Sequence, residues 1–334
     1  MAIRVAVDAM GGDRAPAVVV EGVVQAAQKA SGDLELLLFG PAGLVEEELA
    51  RHPNTDGLPI RVVDAPEIIT MAESPTAALK GKPNSSIHLG LGAHKQGVAD
   101  AFISAGNTGA VMAASLFILG RLENVLRPSL VSAFPSIKGG CLVLDVGSNV
   151  DCKPEHLLQF AHMGSIYAEL IQKRKNPVVA LMNIGEEPGK GNELAKAAFT
   201  LLSEASGLNF RGNIEGRDLL QHAADVIVCD GFVGNILLKF GESVATVFPQ
   251  MIGQEMHRLG LSPEEQALVS KVFRGVQRPF NYEEQGGAPL LGVAGDVMIG
   301  HGGSSPRAIA RMVEAAAEIA RQDVAGSIAA VLSV

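Results

Sequence analysis

Short apolar runs recur along the chain, each closed by small or polar residues and followed by apolar positions three and four apart. The runs at 3–7, 34–39, 60–64, 101–104, 130–134, 141–146, 178–183, 209–214 and 225–229 read as strands. Segments 18–30, 44–51, 73–81, 87–96, 110–119, 155–173 and 216–223 read as helices, as do the residues after 194 and the closing segment 306–324. Many of the strand runs are apolar at consecutive positions, as expected of strands covered on both faces. Strand alternating with helix predicts an α/β protein with a mostly parallel sheet.

Segment 236–278 breaks this rhythm. Ile236, Phe240, Val244, Val247, Met251 and Ile252 recur at helical spacing, with Pro249 expected to kink or divide the helix. Ser262 and Pro263 start a second helix that carries Leu268, Val269, Val272, Phe273 and Val276 on one face. We read a helical pair projecting from the body. Beyond it, 286–295 and 301–305 read as glycine-rich loops. The expectation is one domain over 1–334, built of two intimately joined halves.

The candidate chemistry lies where strand turns into helix. In AFISAGNTGAVMAASLFILG (101–120) a strand, a small-residue turn and a helix follow one another. The first N–H groups of such a helix lack internal partners and carry partial positive charge. Gly106 would let an anion approach the backbone, and Ser104, Asn107 and Thr108 would add donors. Alternatively, Asn107 or Thr108 only caps the helix. Gly11, Gly12 and Asp13, after the first strand, stand in a similar place. DVGSNVDCKPEHL (145–157) is the densest polar cluster, offering Asp145, Asn149, Lys153 and His156. Lys190 sits between two glycines before a helix, a natural anion contact.

Composition narrows the field. Hydrophobic residues are 47% and charged residues 19%, so the 334-residue chain is globular. Trp is absent, aromatics are 4% and the net charge is −9, which disfavours nucleic acid as a partner. The three cysteines show no metal-type pairing and read as reduced thiols. No run reaches the roughly 20 residues of a membrane span, and the chain enters its first strand without a signal-peptide pattern. A cytoplasmic protein is expected, with contact at a membrane surface left open. No HExxH, GxSxG, CxxC or nucleotide fingerprint is present, so no cofactor or metal is expected.

DAMGGDRAP, ISAGNTGA, DVGSNVDCKPEHL, NIGEEPGKGNEL, GNIEGRDLL, DVIVCDGFVGN and HGGSS follow one another across nearly the whole chain. This ordered set closely resembles the bacterial phosphate acyltransferases of phospholipid synthesis. The resemblance implies a three-layer αβα fold similar to isopropylmalate dehydrogenase. It implies transfer of a fatty acyl group from acyl carrier protein to inorganic phosphate, in a homodimer, with the acyl phosphate passing to a membrane glycerol-3-phosphate acyltransferase. Phosphate would attack the thioester directly. Lys190, Asn235, Asp145 and His156 are then candidates for catalysis. Gly11, Gly12, Asp13, Ser104, Gly106, Asn107 and Thr108 are candidates for holding phosphate, and Asn149, Lys153, Asn192, Asp230, His301 and Ser304 for other substrate contacts. Lys271, Arg274 and Arg278, at three- and four-residue spacing, would offer a basic face to the acidic carrier protein. Cys152 is the rival as a thiol nucleophile. A metal- and NAD-dependent decarboxylating dehydrogenase and a non-catalytic lipid-synthesis scaffold remain as alternatives.

Overall fold

The computed structural model describes residues 2–30, 32–277 and 286–333. In chain order they form β1 (Ile3–Asp8), α1 (Ala17–Lys29), β2 (Leu34–Gly40), α2 (Ala42–Leu49), β3 (Ile60–Asp64), α3 (Pro75–Gly81), α4 (Ser86–Lys95), β4 (Ala101–Ser104) and α5 (Thr108–Ile118). There follow β5 (Ser129–Ser136), β6 (Gly139–Leu144), α6 (Pro154–Leu170), β7 (Val178–Met182), α7 (Glu193–Glu204), β8 (Asn209–Ile214) and β9 (Val226–Val228). The described part closes with α8 (Gly231–Arg258), α9 (Pro263–Gln277), β10 (Ala288–Leu291), β11 (Val297–Ile299), α10 (Pro306–Arg321) and α11 (Val324–Leu332).

The strands form one sheet in the order β3-β2-β1-β4-β11-β10-β5-β6-β9-β7-β8. Pairing is parallel from β3 to β11 and from β6 to β8. Three antiparallel pairings stand between, β11 with β10, β10 with β5 and β5 with β6. An odd number of reversals makes the two parallel halves run in opposite senses. Their carboxyl-end loops nevertheless meet, on opposite walls of a cleft over β10 and β5.

Consecutive apolar residues serve opposite faces, as the strand period of two requires. Val5, Val7, Leu36 and Leu38 join the core under α1, α6 and α10, while Ala6, Leu37 and Phe102 join the core under α4 and α5. Helix and sheet approach closely where a side chain is missing. A Cβ on Gly164 of α6 would lie 2.6 Å from Val226 and 2.7 Å from Leu144.

Several expectations need correction. The glycine-rich stretch 286–295 contains β10, and β11 follows it; these short strands join the two halves of the sheet. The segment expected as helix 216–223 is a single 3-10 turn, Gly216–Asp218. The closing helix is two, because Asp323 takes a left-handed conformation (φ 48°) and caps α11 through Gly326 N–H. Pro249 does not divide α8, which starts at Gly231 and runs through the proline to Arg258.

Candidate active site

One wall grows from the ends of β1, β4 and β11. Asp8, the last residue of β1, is 2% exposed. Its carboxylate accepts from the Ser104 hydroxyl at 2.6 Å and from Met10 N–H at 3.1 Å. Burial raises its pKa above the usual carboxylate value, against the lowering by hydrogen bonds from Ser104, Ser86 and Met10. Ser104 Oγ in turn accepts from Gly106 N–H at 3.0 Å. A Cβ on Gly11 would sit 2.7 Å from Asp8 Oδ2 and 2.8 Å from Gly106 N, so the two loops touch backbone to backbone.

This geometry redistributes the expected phosphate contacts. Ser104, Gly106 and Gly11 face the buried Asp8 carboxylate and knit the loops together. Asn107 caps α5, accepting from Ala110 N–H at 3.1 Å, while its amide donates to the carbonyls of Thr70, Met71 and Glu73. Asp13 donates its N–H to Gly302 O at 2.9 Å, over the positive-φ Gly12. Thr108, at the start of α5, and Asp13 line the cleft.

The second wall rests on Asp145, just past β6 and fully buried. Its carboxylate accepts from the N–H groups of Leu130, Gly147, Ser148 and Asn149, from the Ser148 hydroxyl and from the Asn149 amide, at 2.5–3.2 Å. Asp145 therefore organises a loop, and its acceptor positions are occupied. Asn149 also donates to Pro128 O at 2.7 Å. His156 Nδ1 accepts from Lys153 N–H at 3.1 Å at the head of α6. Burial lowers the pKa of His156, with the Arg127 and Lys153 charges acting the same way and Glu155 opposing. Neither Asp145 nor His156 lines the cleft.

Helix α8 lies on this loop. Gly231 and Gly234 are the buried residues of α8, and a Cβ on either would strike the backbone of Asn149 or Asp145. Asp230 caps the helix by accepting from Val233 N–H at 2.8 Å. Asn235, next in line, reaches the cleft, where its amide lies 3.4 Å from Val146 O and beside Gly147.

The cleft has a volume of about 460 Å³ and an open mouth. From the first wall it receives Asp13, Thr108 and the turn from Ile299 to Gly302, and from the second Gly147, Asn235, Leu238, Lys239 and Glu242. His301 accepts Gly303 N–H on Nδ1 at 3.1 Å, which places the ring proton on Nε2. Lys239 is the cation among these lining residues, and its ammonium lies 3.0 Å from Glu242. Sequence reasoning missed Lys239 and Glu242. The signal was there: Asn235, Lys239 and Glu242 are spaced four and three apart, which puts them on one helix face.

Other expected residues stand apart. Lys190 is exposed in the loop after β7, 3.9 Å from Glu187, and does not line the cleft. Asn192 caps α7 by accepting from Ala195 N–H, Lys153 precedes α6, and the Ser304 hydroxyl donates to His301 O. Lys271 and Arg274 are exposed on α9, and Arg278 lies outside the described residues.

The thiols are held neutral. Burial pushes Cys141 and Cys152 up to about 12, and Cys229 well above its ordinary value. Among the described residues, no group of three or more His, Cys, Asp or Glu is placed to hold a metal ion. No helix among them is long and apolar enough to cross a membrane.

The fold is that of the phosphotransacetylases. A EutD phosphotransacetylase from Staphylococcus aureus matches 96% of this chain and 94% of its own, at a TM-score of 0.60 and 17% identity. A phosphotransacetylase from Streptococcus pyogenes matches the same shares at 0.60 and 18%. Sequence goes further. Residues 3–327 match the family described as fatty acid synthesis protein. The phosphate acyltransferase of Salinibacter ruber is 57% identical over 97% of this chain and 96% of its own length. That of Chlorobaculum parvum is 45% identical over 99% of each. The chain belongs to the phosphate acyltransferase family, whose work is acyl transfer for phospholipid synthesis. This membership sets aside the dehydrogenase and scaffold alternatives.

Proposed function

We propose that the chain transfers a fatty acyl group from the thioester of acyl carrier protein to inorganic phosphate, by direct attack within the cleft between the two walls. A phosphate oxygen bonds to the thioester carbonyl carbon, the tetrahedral adduct collapses, and the carbon–sulfur bond breaks. The proton of the hydrogen phosphate ends on the leaving sulfur, so the products are acyl phosphate and free carrier thiol. The observation that carries this reading is a cleft that gathers an amide (Asn235), a cation (Lys239), a hydroxyl (Thr108) and an imidazole (His301) while every described thiol is held neutral.

The start of α5 at Thr108 suits the phosphate, because a helix N-terminus presents N–H groups and partial positive charge. Asn235 and His301 Nε2–H are the donors suited to the developing oxyanion. Lys239 offsets phosphate charge, and Lys190 reaches the acyl donor from outside the cleft. Positioning supplies the remainder, since the nucleophile is itself a substrate.

In this reading the domain is single, with the pair 236–278 inserted in it. Lys271 and Arg274 meet an acidic carrier protein, the enzyme works as a homodimer, and its product feeds a membrane glycerol-3-phosphate acyltransferase. The test is incubation with hexadecanoyl carrier protein and phosphate, trapping acyl phosphate as the hydroxamate. Phosphate-dependent hydroxamate is expected from the natural chain and equally from Cys152→Ser, whose thiol donates to Asn149 O at 3.5 Å and is not ionised. A folded but inactive Cys152→Ser would replace direct attack with a thioester intermediate.

A further inference from the structure

A second cavity adjoins the cleft. It holds about 150 Å³ between α8 and β5. Phe134, Leu219, Leu220, Leu237, Phe240 and Val244 line it. Ser132, Leu238 and Glu242 border both cavities, so the groove lies directly beside the cleft. Phe134 and Leu219 are buried core residues, 6% and 5% exposed, that form its floor.

We infer that this groove holds the first methylenes of the acyl donor's tail and favours donors long enough to fill it. The inference rests on the acyl-transfer reading above. A thioester placed at Asn235 must lead its tail out of the cleft. Apolar side chains, Met71, Leu130, Val146 and Ile299, line the cleft beside its polar groups Asp13, Thr108 and His301. At Leu238 this apolar lining passes into the adjoining cavity, with Glu242, paired with the cleft residue Lys239, as the charged residue on the border. A methylene occupies roughly the 30 Å³ share of a liquid water, so the groove has room for about five.

Gly241 supplies the probe of this arrangement. It faces the floor, where a Cβ would lie 3.4 Å from the Phe134 ring. A leucine there grows into the groove. The binding readout is the fluorescence of cis-parinaric acid, a linear polyene fatty acid, on the full chain. The kinetic readout is the ratio of kcat/KM for hexadecanoyl over butanoyl carrier protein. A change of even one methylene's room in an apolar pocket is worth about tenfold or more. Gly241→Leu is expected to weaken probe binding about tenfold and to lower the hexadecanoyl-to-butanoyl ratio by a similar factor. If Gly241→Leu does not fold, Leu220→Glu carries the test, since Leu220 is 43% exposed and tolerates a polar group there. Its expected effect has the same direction. Unchanged probe affinity and an unchanged ratio in a folded variant overturn the proposal. So does a variant that alters self-association by light scattering while leaving probe affinity intact, which would assign the groove to a second copy of the chain. A natural chain that binds the probe in a Gly241-dependent way yet makes no acyl phosphate keeps the groove and removes the proposed reaction.

Discussion

Asn235 and Lys190 carried equal weight as sequence, and their surroundings separate them. Asn235 projects from α8 into the cleft, whereas Lys190 stands outside its lining, 3.9 Å from Glu187. Loss of one donor to a developing oxyanion costs about 10²–10³ in kcat. Asn235→Ala is expected to lose rate on that scale with its melting temperature retained. Lys190→Ala should show its effect mainly as a raised KM for the acyl donor. Steady-state kinetics on both variants check this split; a kcat loss confined to Lys190→Ala would exchange their roles. The polar cluster at 145–157 teaches the opposite lesson. A buried carboxylate that accepts a ring of backbone N–H groups and a catalytic one look alike as letters. Only the hydrogen bonds to Leu130, Gly147, Ser148 and Asn149 show that Asp145 organises the loop.

Among elements, the strand–turn–helix joins were legible because each is local, encoded by an apolar run and a small-residue turn. Strands β10 and β11 were not. APLL and VMI are too short to show a period, and glycines flank them. They become strands by pairing with β5 and β4, which lie far away in sequence. The same dependence on a distant partner governs α8. A Cβ on Gly234 would fall on Asp145 O, and backbone cannot swing aside as a side chain can. Gly234→Ala should therefore destabilise the fold by about 1–3 kcal/mol or more, although alanine is the better helix former. Denaturant unfolding measures it, and an unchanged midpoint would mean that α8 docks differently.

Asp296 ties α11 to the start of β11, its carboxylate accepting from the Ala325 backbone, and burial together with the Asp323 charge pushes its pKa up to about 7 from 3.8. The unfolded chain releases this proton near the ordinary value, and the folded one holds it until about 7. Stability is therefore lost as pH rises between those values. Asp296→Asn keeps an acceptor and removes the titration. Its advantage in melting temperature over the natural chain should grow from pH 4 to pH 8; a constant difference would refute the linkage.

At the scale of the molecule, the proposed acyl donor, an acidic carrier protein, would have to dock against a net charge of −9. A local basic surface must outweigh the general repulsion, and long-range attraction of this kind acts mainly on the rate of association. Helix α9 begins with Glu264 and Glu265 and carries Lys271 and Arg274 further along, both exposed and three residues apart. Its apolar residues are also uncovered in the single chain, with Leu268 64%, Val272 63% and Val276 59% exposed. A helix with both features needs a partner for its apolar face, and a homodimer would supply one while leaving the basic residues outward. The amphipathic spacing made this helix legible, whereas what covers it depends on a second molecule and is not written in local pattern. The double variant Lys271→Glu/Arg274→Glu should raise the KM for acyl carrier protein, leave that for phosphate alone, and flatten the dependence of kcat/KM on ionic strength. Salt screens such charges within about 8 Å at physiological ionic strength, so the difference from the natural chain should shrink as salt is added. An unchanged carrier-protein KM in a folded double variant would move the docking surface off α9.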